Sequence, residues 1–209
     1  MKKILSVLLA LCIIVPVASA QNYEKALAKA AKKEYKAKLK EFKKGKWEAY
    51  GTTRTLEVCL LAHFDKLQKL GEDGREIMGS ATRFKSKNIG HQMSISNACV
   101  LYAGQAGSSL KGRVVSDMAG NASDPTAEFD HFYAAYERLV EKEIKGELQE
   151  SFSVIRPYGD GTYEMQTYFI VSESAASKAR IRAFEEAARE SAAAQAYANQ
   201  VSDFVKEGF

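Results

Sequence analysis

The sequence predicts an α+β protein: a small three-stranded antiparallel sheet with helices packed on one face, preceded by a basic helical arm. Three observations predict this. Apolar residues recur every three or four positions along five stretches, the pattern of amphipathic helices. Three shorter stretches are rich in strand formers, and a Gly159-Asp160-Gly161 turn joins the last two. Charge is divided unevenly. Residues 21–46 hold ten Lys against three Glu, whereas from Trp47 onward 18 basic residues meet 23 acidic ones.

The arm carries Tyr23, Leu27, Ala31, Tyr35, Leu39 and Phe42 at helical spacing, with lysines filling the remaining positions and Gly45 ending it. Thr52 or Thr53 is then expected to cap a second helix bearing Leu56, Leu60, Phe64, Leu67 and Leu70. Residues 75–85 read as a strand, and Gly79 within it predicts close approach by a helix or another backbone. A long helix follows over 89–115, with Ile95, Ala98, Cys99, Tyr102, Ala106, Leu110 and Val114 on one face. Asp124 and Pro125 start the next helix, whose buried face runs from Phe129 to Ile144. Residues 148–156 and 162–171 form a hairpin of alternating strands, and an alanine-rich helix over 174–205 closes the chain.

In front of these elements stand Met1-Lys2-Lys3, an apolar run from Ile4 to Val17, and Ala18-Ser19-Ala20. A basic start, an apolar core and a small-x-small site predict a signal peptide cut after Ala20. The run is shorter than the ~20 residues a bilayer span needs. Leu11 precedes Cys12 where a lipobox requires a small residue, so no lipid anchor is expected. The expected organisation is a signal over 1–20, the arm over 21–46 and a single α+β domain over 47–209. After cleavage near Ala20 the expected location is the periplasm, or else secreted or in the cell envelope. Of the cysteines past the cut, Cys59 and Cys99, an oxidising compartment permits a disulfide; two buried free thiols are the alternative.

Residue types that carry chemistry are present but do not pair at motif spacing. His63, His91 and His131 lack a His-x-x-x-His or Cys-x-x-Cys partner, so no metal is expected. Glu128 and His131 make one Glu-x-x-His without the second that a di-metal bundle needs. Ser108-Ser109-Leu110-Lys111 contains Ser-x-x-Lys, but the accompanying Lys-Thr-Gly element is missing. Cys59 lies four residues before His63, yet its neighbours Val58, Leu60 and Leu61 predict an inert, apolar setting. No phosphate-binding glycine loop is found and no cofactor is expected. A histidine gathered with acids in a cleft would instead mark an enzyme.

The strand with Gly79-Ser80-Ala81 leads to a helix reading Ser96-Asn97-Ala98-Cys99-Val100-Leu101-Tyr102-Ala103. Arg156, a Gly159-Asp160-Gly161-Thr162-Tyr163-Glu164 hairpin and an amphipathic helix follow. Over roughly residues 75–205 this order resembles the LPP20-type envelope lipoproteins and related secreted proteins of Bacteroidetes. It departs from them at the amino end, where the lipobox is missing. The resemblance implies a non-enzymatic envelope protein and brings no catalytic residues.

The leading expectation is therefore a non-catalytic exported binding or self-assembly module whose partner is an envelope protein or a second copy of itself. The alternative is a peripheral binder of an anionic membrane or envelope polymer. Its contact residues would be Lys32, Lys33, Lys36, Lys40, Lys43, Lys44 and Trp47, with Tyr35, Leu39 and Phe42 dipping into the interface; the competing arrangement packs this apolar stripe on the body or pairs it with itself. An envelope hydrolase is the third reading. Nucleic acid is not an expected partner, because the arm has no arginine and export separates it from the genome.

Overall fold

The computed structural model describes residues 15–118 and 126–189, with side chains from 29 to 114 and from 130 to 189. The chain runs α1 (Val15–Lys44), β1 (Glu48–Tyr50), α2 (Leu56–Leu70), β2 (Gly74–Phe84) and α3 (Lys87–Met118). It continues through α4 (Thr126–Glu147), β3 (Gln149–Pro157), β4 (Tyr163–Ser172) and α5 (Glu173–Arg189). The predicted signal peptide falls largely outside the described residues, as do Gly120 to Pro125 and the last part of the expected closing helix. α1 begins at Val15 and so passes through the expected cleavage point.

The α+β class holds, with two corrections. The sheet has four antiparallel strands in the order β1-β3-β4-β2, not three. The added strand is Glu48–Tyr50, paired to β3 with Ala49 opposite Val154. The helices cover both faces, not one. Phe152 and Tyr168 face α1 and α2, and Gly79 and Thr167 face α3. The reason lies in β3 and β4: the side chains of Phe152 to Ile155 and of Tyr168 to Val171 are all buried. Consecutive strand residues point to opposite faces, so such runs require cover on both sides.

On the first face, Phe42 is completely buried and meets Trp47, Phe152 and Tyr168 edge-on at 6.0–6.2 Å. Burying such a side chain contributes about 1.5–3 kcal/mol. The carboxyl half of α1 is thus docked on the sheet instead of standing off as an arm. On the second face, a Cβ on Gly79 would strike the Ser94 carbonyl oxygen and come 2.7 Å from the Ala98 nitrogen. This is the close approach that the glycine predicts. Ser94, Ser153 and Thr167, all buried, are joined there by hydroxyl contacts of 2.6 and 3.0 Å. α4 and α5 pack against α3 to form the larger apolar cluster, in which Phe132 meets Phe184. Within it Arg180, 1% exposed, holds Glu173 at 2.6 Å and reaches the Tyr102 hydroxyl.

Local chemistry sets the element ends. α2 is capped by Thr55, whose hydroxyl accepts from the Val58 N–H, and not by Thr52 or Thr53. Gly71, at φ 57°, closes it.

Candidate functional site

α1 is divided into three sectors. At about 100° per residue, Ala31, Tyr35, Leu39 and Phe42 share one face, which meets α2 and the sheet. Lys32, Lys33, Lys36, Lys40, Lys43 and Lys44, all exposed, share a second. Glu34 and Glu41, two of only three acids in residues 21–46, lie on the third side with Lys38. This third side forms one wall of a cleft of ≈ 410 Å³. Leu60, His63, Phe64 and Leu67 of α2 form the opposite wall, and Glu76, Phe152 and Tyr168 of the sheet form its floor.

His63 is the buried polar residue of the cleft, 1% exposed. It packs edge-on against Phe64, Phe152 and Tyr168 at 5.2–6.1 Å. Its Nε2 lies 2.5 Å from Glu76 Oε2 and its Nδ1 lies 3.0 Å from Ser151 Oγ. A carboxylate only accepts, so Nε2 carries a proton; in the neutral ring Nδ1 then accepts from the Ser151 hydroxyl. Ser151 reaches His63 because of a register shift between Glu150 and Phe152. In a regular strand Ser151 and Phe152 would point to opposite faces, but at this bulge both meet the same ring.

Ser151 also lines a second cleft of ≈ 420 Å³, with Tyr50, Arg54, Lys66, His91 and Glu150 around it. His91 Nε2 contacts both Glu150 oxygens at 3.1 Å, and Ser153 donates to the same carboxylate at 2.6 Å. The His63 chain of hydrogen bonds therefore connects two clefts of different polarity. One is aromatic with an acidic rim, and the other is polar with Arg54 and Lys66.

Two expected contact groups stand differently. The six arm lysines are exposed, and Lys43 also pairs with Glu57 of α2 at 2.7 Å. That hydrogen bond raises the ammonium pKa above its ordinary value. Trp47 is not a surface anchor: it is 7% exposed, against Phe42, with the Arg156 guanidinium 4.6 Å over its ring. Tyr35, Leu39 and Phe42 also pack in this cluster, so among the described side chains of α1 no apolar stripe is left to enter an interface.

Cys59 and Cys99 are buried free thiols, and the disulfide is not formed. Cys59 belongs to the cluster beneath α1 and α2, and Cys99 to the cluster of α3, on the other side of the sheet. Burial pushes both thiols above their ordinary pKa, as expected of inert cysteines. His131 is exposed, and Lys111 of the Ser-x-x-Lys sequence pairs with Asp130 at 3.3 Å. Among the described residues, no three His, Cys, Asp or Glu side chains are grouped to hold a metal ion, and no helix is long and apolar enough to cross a membrane.

Sequence reasoning missed the joining of His63, Glu76 and Ser151. Thirteen residues separate the first two and 88 separate His63 from Ser151. No motif spacing marks them; α2, β2 and a bulge in β3 bring them together. Fold and clefts define an α+β protein with helices on both sheet faces and a histidine-centred site on one of them. Comparison of the chain with family models, with curated proteins and with solved structures found no match.

Proposed function

We propose that this chain is an exported, non-catalytic binding module of the cell envelope, and that it binds in the cleft between α1, α2 and the sheet. The observation that carries the reading is the cleft: ≈ 410 Å³, with apolar side chains of α2 and the sheet in its lining and a few polar groups converging on it. That size and lining are those of small-ligand sites. The order β2, α3, α4, hairpin and α5 is in keeping with the resemblance to LPP20-type proteins, and the amino-terminal twenty residues support export. The test is a fragment titration of the chain from Gln21 onward, followed by amide-resolved NMR. Binding is expected to shift residues 34–41, 60–67 and Glu76 together. Shifts scattered over the surface, or none, would sink the reading.

The lysine sector of α1 favours a second contact, with an anionic membrane or envelope polymer. Each Lys near such a surface contributes about 1 kcal/mol, screened by salt. With Trp47 and Phe42 buried, the attraction is electrostatic and has no apolar half. Co-sedimentation with phosphatidylglycerol vesicles is expected at low salt, with release at high salt. Retention at high salt would contradict a purely electrostatic contact.

An envelope hydrolase has a specific observation in its favour: His63 joined to Glu76 in the cleft is the histidine-with-acid arrangement expected of an enzyme, and Ser151 completes the chain. The roles match a nucleophile, a base and the acid that orients it. A fluorophosphonate probe distinguishes the readings. Labelling of Ser151 that is lost in His63→Gln would make the protein an enzyme, whereas a binding module leaves Ser151 unlabelled.

A further inference from the structure

We infer that the cleft between α1, α2 and the sheet selects an organic cation, an amine carried on an apolar body; this rests on the binding reading above. Three features converge on it.

The first is charge. Glu34, Glu41 and Glu76 line the cleft against one lysine, Lys38. Its other titratable groups are His63, bound to Glu76, and the buried Tyr168. The acidity runs against its surroundings, because lysines fill the other exposed side of the same helix. Glu34 and Glu41 are seven residues apart, two helical turns, so both fall on the cleft side.

The second is the lining. Phe64, Phe152 and Tyr168 supply ring faces and edges. Phe152 and Tyr168 stack on each other at 4.6 Å and are nearly buried, so they close the bottom of an apolar slot that Ala37, Leu60, Phe64 and Leu67 line. An apolar lining suits an apolar body, and ring faces attract cations.

The third is that the protein's own ammonium already uses this chemistry. Lys38 Nζ lies 5.4 Å from the centre of the Tyr168 ring, 5.1 Å from that of Phe42 and 3.3 Å from Glu41 Oε1. Carboxylate and ring face therefore hold one alkylammonium at the edge of the cleft. Glu76 spends Oε2 on His63 and, with a side chain 41% exposed, retains its second oxygen for another donor.

The experiment is calorimetry at low salt on the chain from Gln21 onward. The probes are phenethylamine, phenethyl alcohol and phenylpropionate, which share one ring and differ in charge. Phenethylamine is expected to bind about tenfold or more tightly than the alcohol, with the carboxylate weakest. Glu34→Gln, on an exposed position that leaves the fold intact, is expected to weaken the amine several-fold without changing the alcohol. Glu76→Gln should do the same, with its thermal midpoint recorded because His63 loses a charged acceptor. Lys38→Met, which removes the competing cation, is expected to tighten the amine. Equal affinity for amine and alcohol, or no response to Glu34→Gln and Lys38→Met, would overturn the cation inference while leaving a binding site. If none of the three probes binds, the binding reading itself falls, and this inference with it.

Discussion

Replacing His63 by Ala removes a buried ring, its bond to the Glu76 carboxylate and its bond to the Ser151 hydroxyl at once. The loss of a hydrogen bond to a charged group and the resulting cavity together predict a cost of roughly 2–4 kcal/mol, read from the urea midpoint. Tyrosines make the second residue-scale prediction. Burial pushes Tyr133 up to about 12 and raises Tyr102, Tyr136 and Tyr168 above the ordinary phenol value. In the unfolded chain these phenols release protons near 10. The folded state therefore binds more protons above that pH, and the stability tied to the neutral phenols is complete below about pH 10 and declines as pH rises. Urea midpoints should begin to fall above about pH 8.5, where the unfolded Cys59 and Cys99 thiols release protons that the buried thiols keep, and fall steeply beyond about 10; a midpoint unchanged between about pH 10 and 11 would contradict the buried tyrosine cluster. At this scale the sequence was legible where burial follows helical spacing, as at Cys59, Cys99 and Leu110. It was silent on His63, whose role depends on partners brought from β2 and from the bulge in β3.

Among the elements, the tightest fit is that of α3 on β2. Gly79→Ala would press a methyl into the backbone of Ser94 and Ala98, atoms that cannot turn aside. Such overpacking is expected to cost about 1–3 kcal/mol, measured by denaturation, with Gly79→Val worse. A neutral Gly79→Ala would mean that α3 sits further from the sheet. α5 is tied to α3 by Arg180, buried and bonded to Glu173 and the Tyr102 hydroxyl. Arg180→Leu strands the Glu173 carboxylate and is expected to cost about 3 kcal/mol, the low end for a broken buried pair, since Arg75 still reaches Glu173 at 3.1 Å. Long helices and the hairpin were legible because period and turn chemistry repeat over many residues. Three-residue β1 was not, because Glu48-Ala49-Tyr50 is too short to show alternation and exists only by pairing with β3. The second helical layer had a legible signal that alternation obscured: the unbroken apolar run Tyr168-Phe169-Ile170-Val171 marks a strand covered on both faces.

For the whole molecule, the uneven charge suggests a basic arm on an acidic body, with packing of the arm's apolar stripe on that body as one alternative; α1 takes that alternative and is one wall of the cleft and the lid of an apolar cluster. Its lysines and its apolar stripe are different sides of one helix, and composition alone merges them. Deleting residues 21–46 should therefore expose Phe152 and Tyr168 and lower both stability and solubility, where removal of a free arm would leave the midpoint unchanged. The most direct test is backbone hydrogen exchange in the chain from Gln21 onward, compared between residues 35–44 and α2. Docking predicts that amides 35–44 are protected as strongly as those of Leu56–Leu70 and open together with them. Exchange of 35–44 at unfolded-peptide rates, with α2 still protected, would contradict the docked helix and remove the cleft on which the proposed function stands.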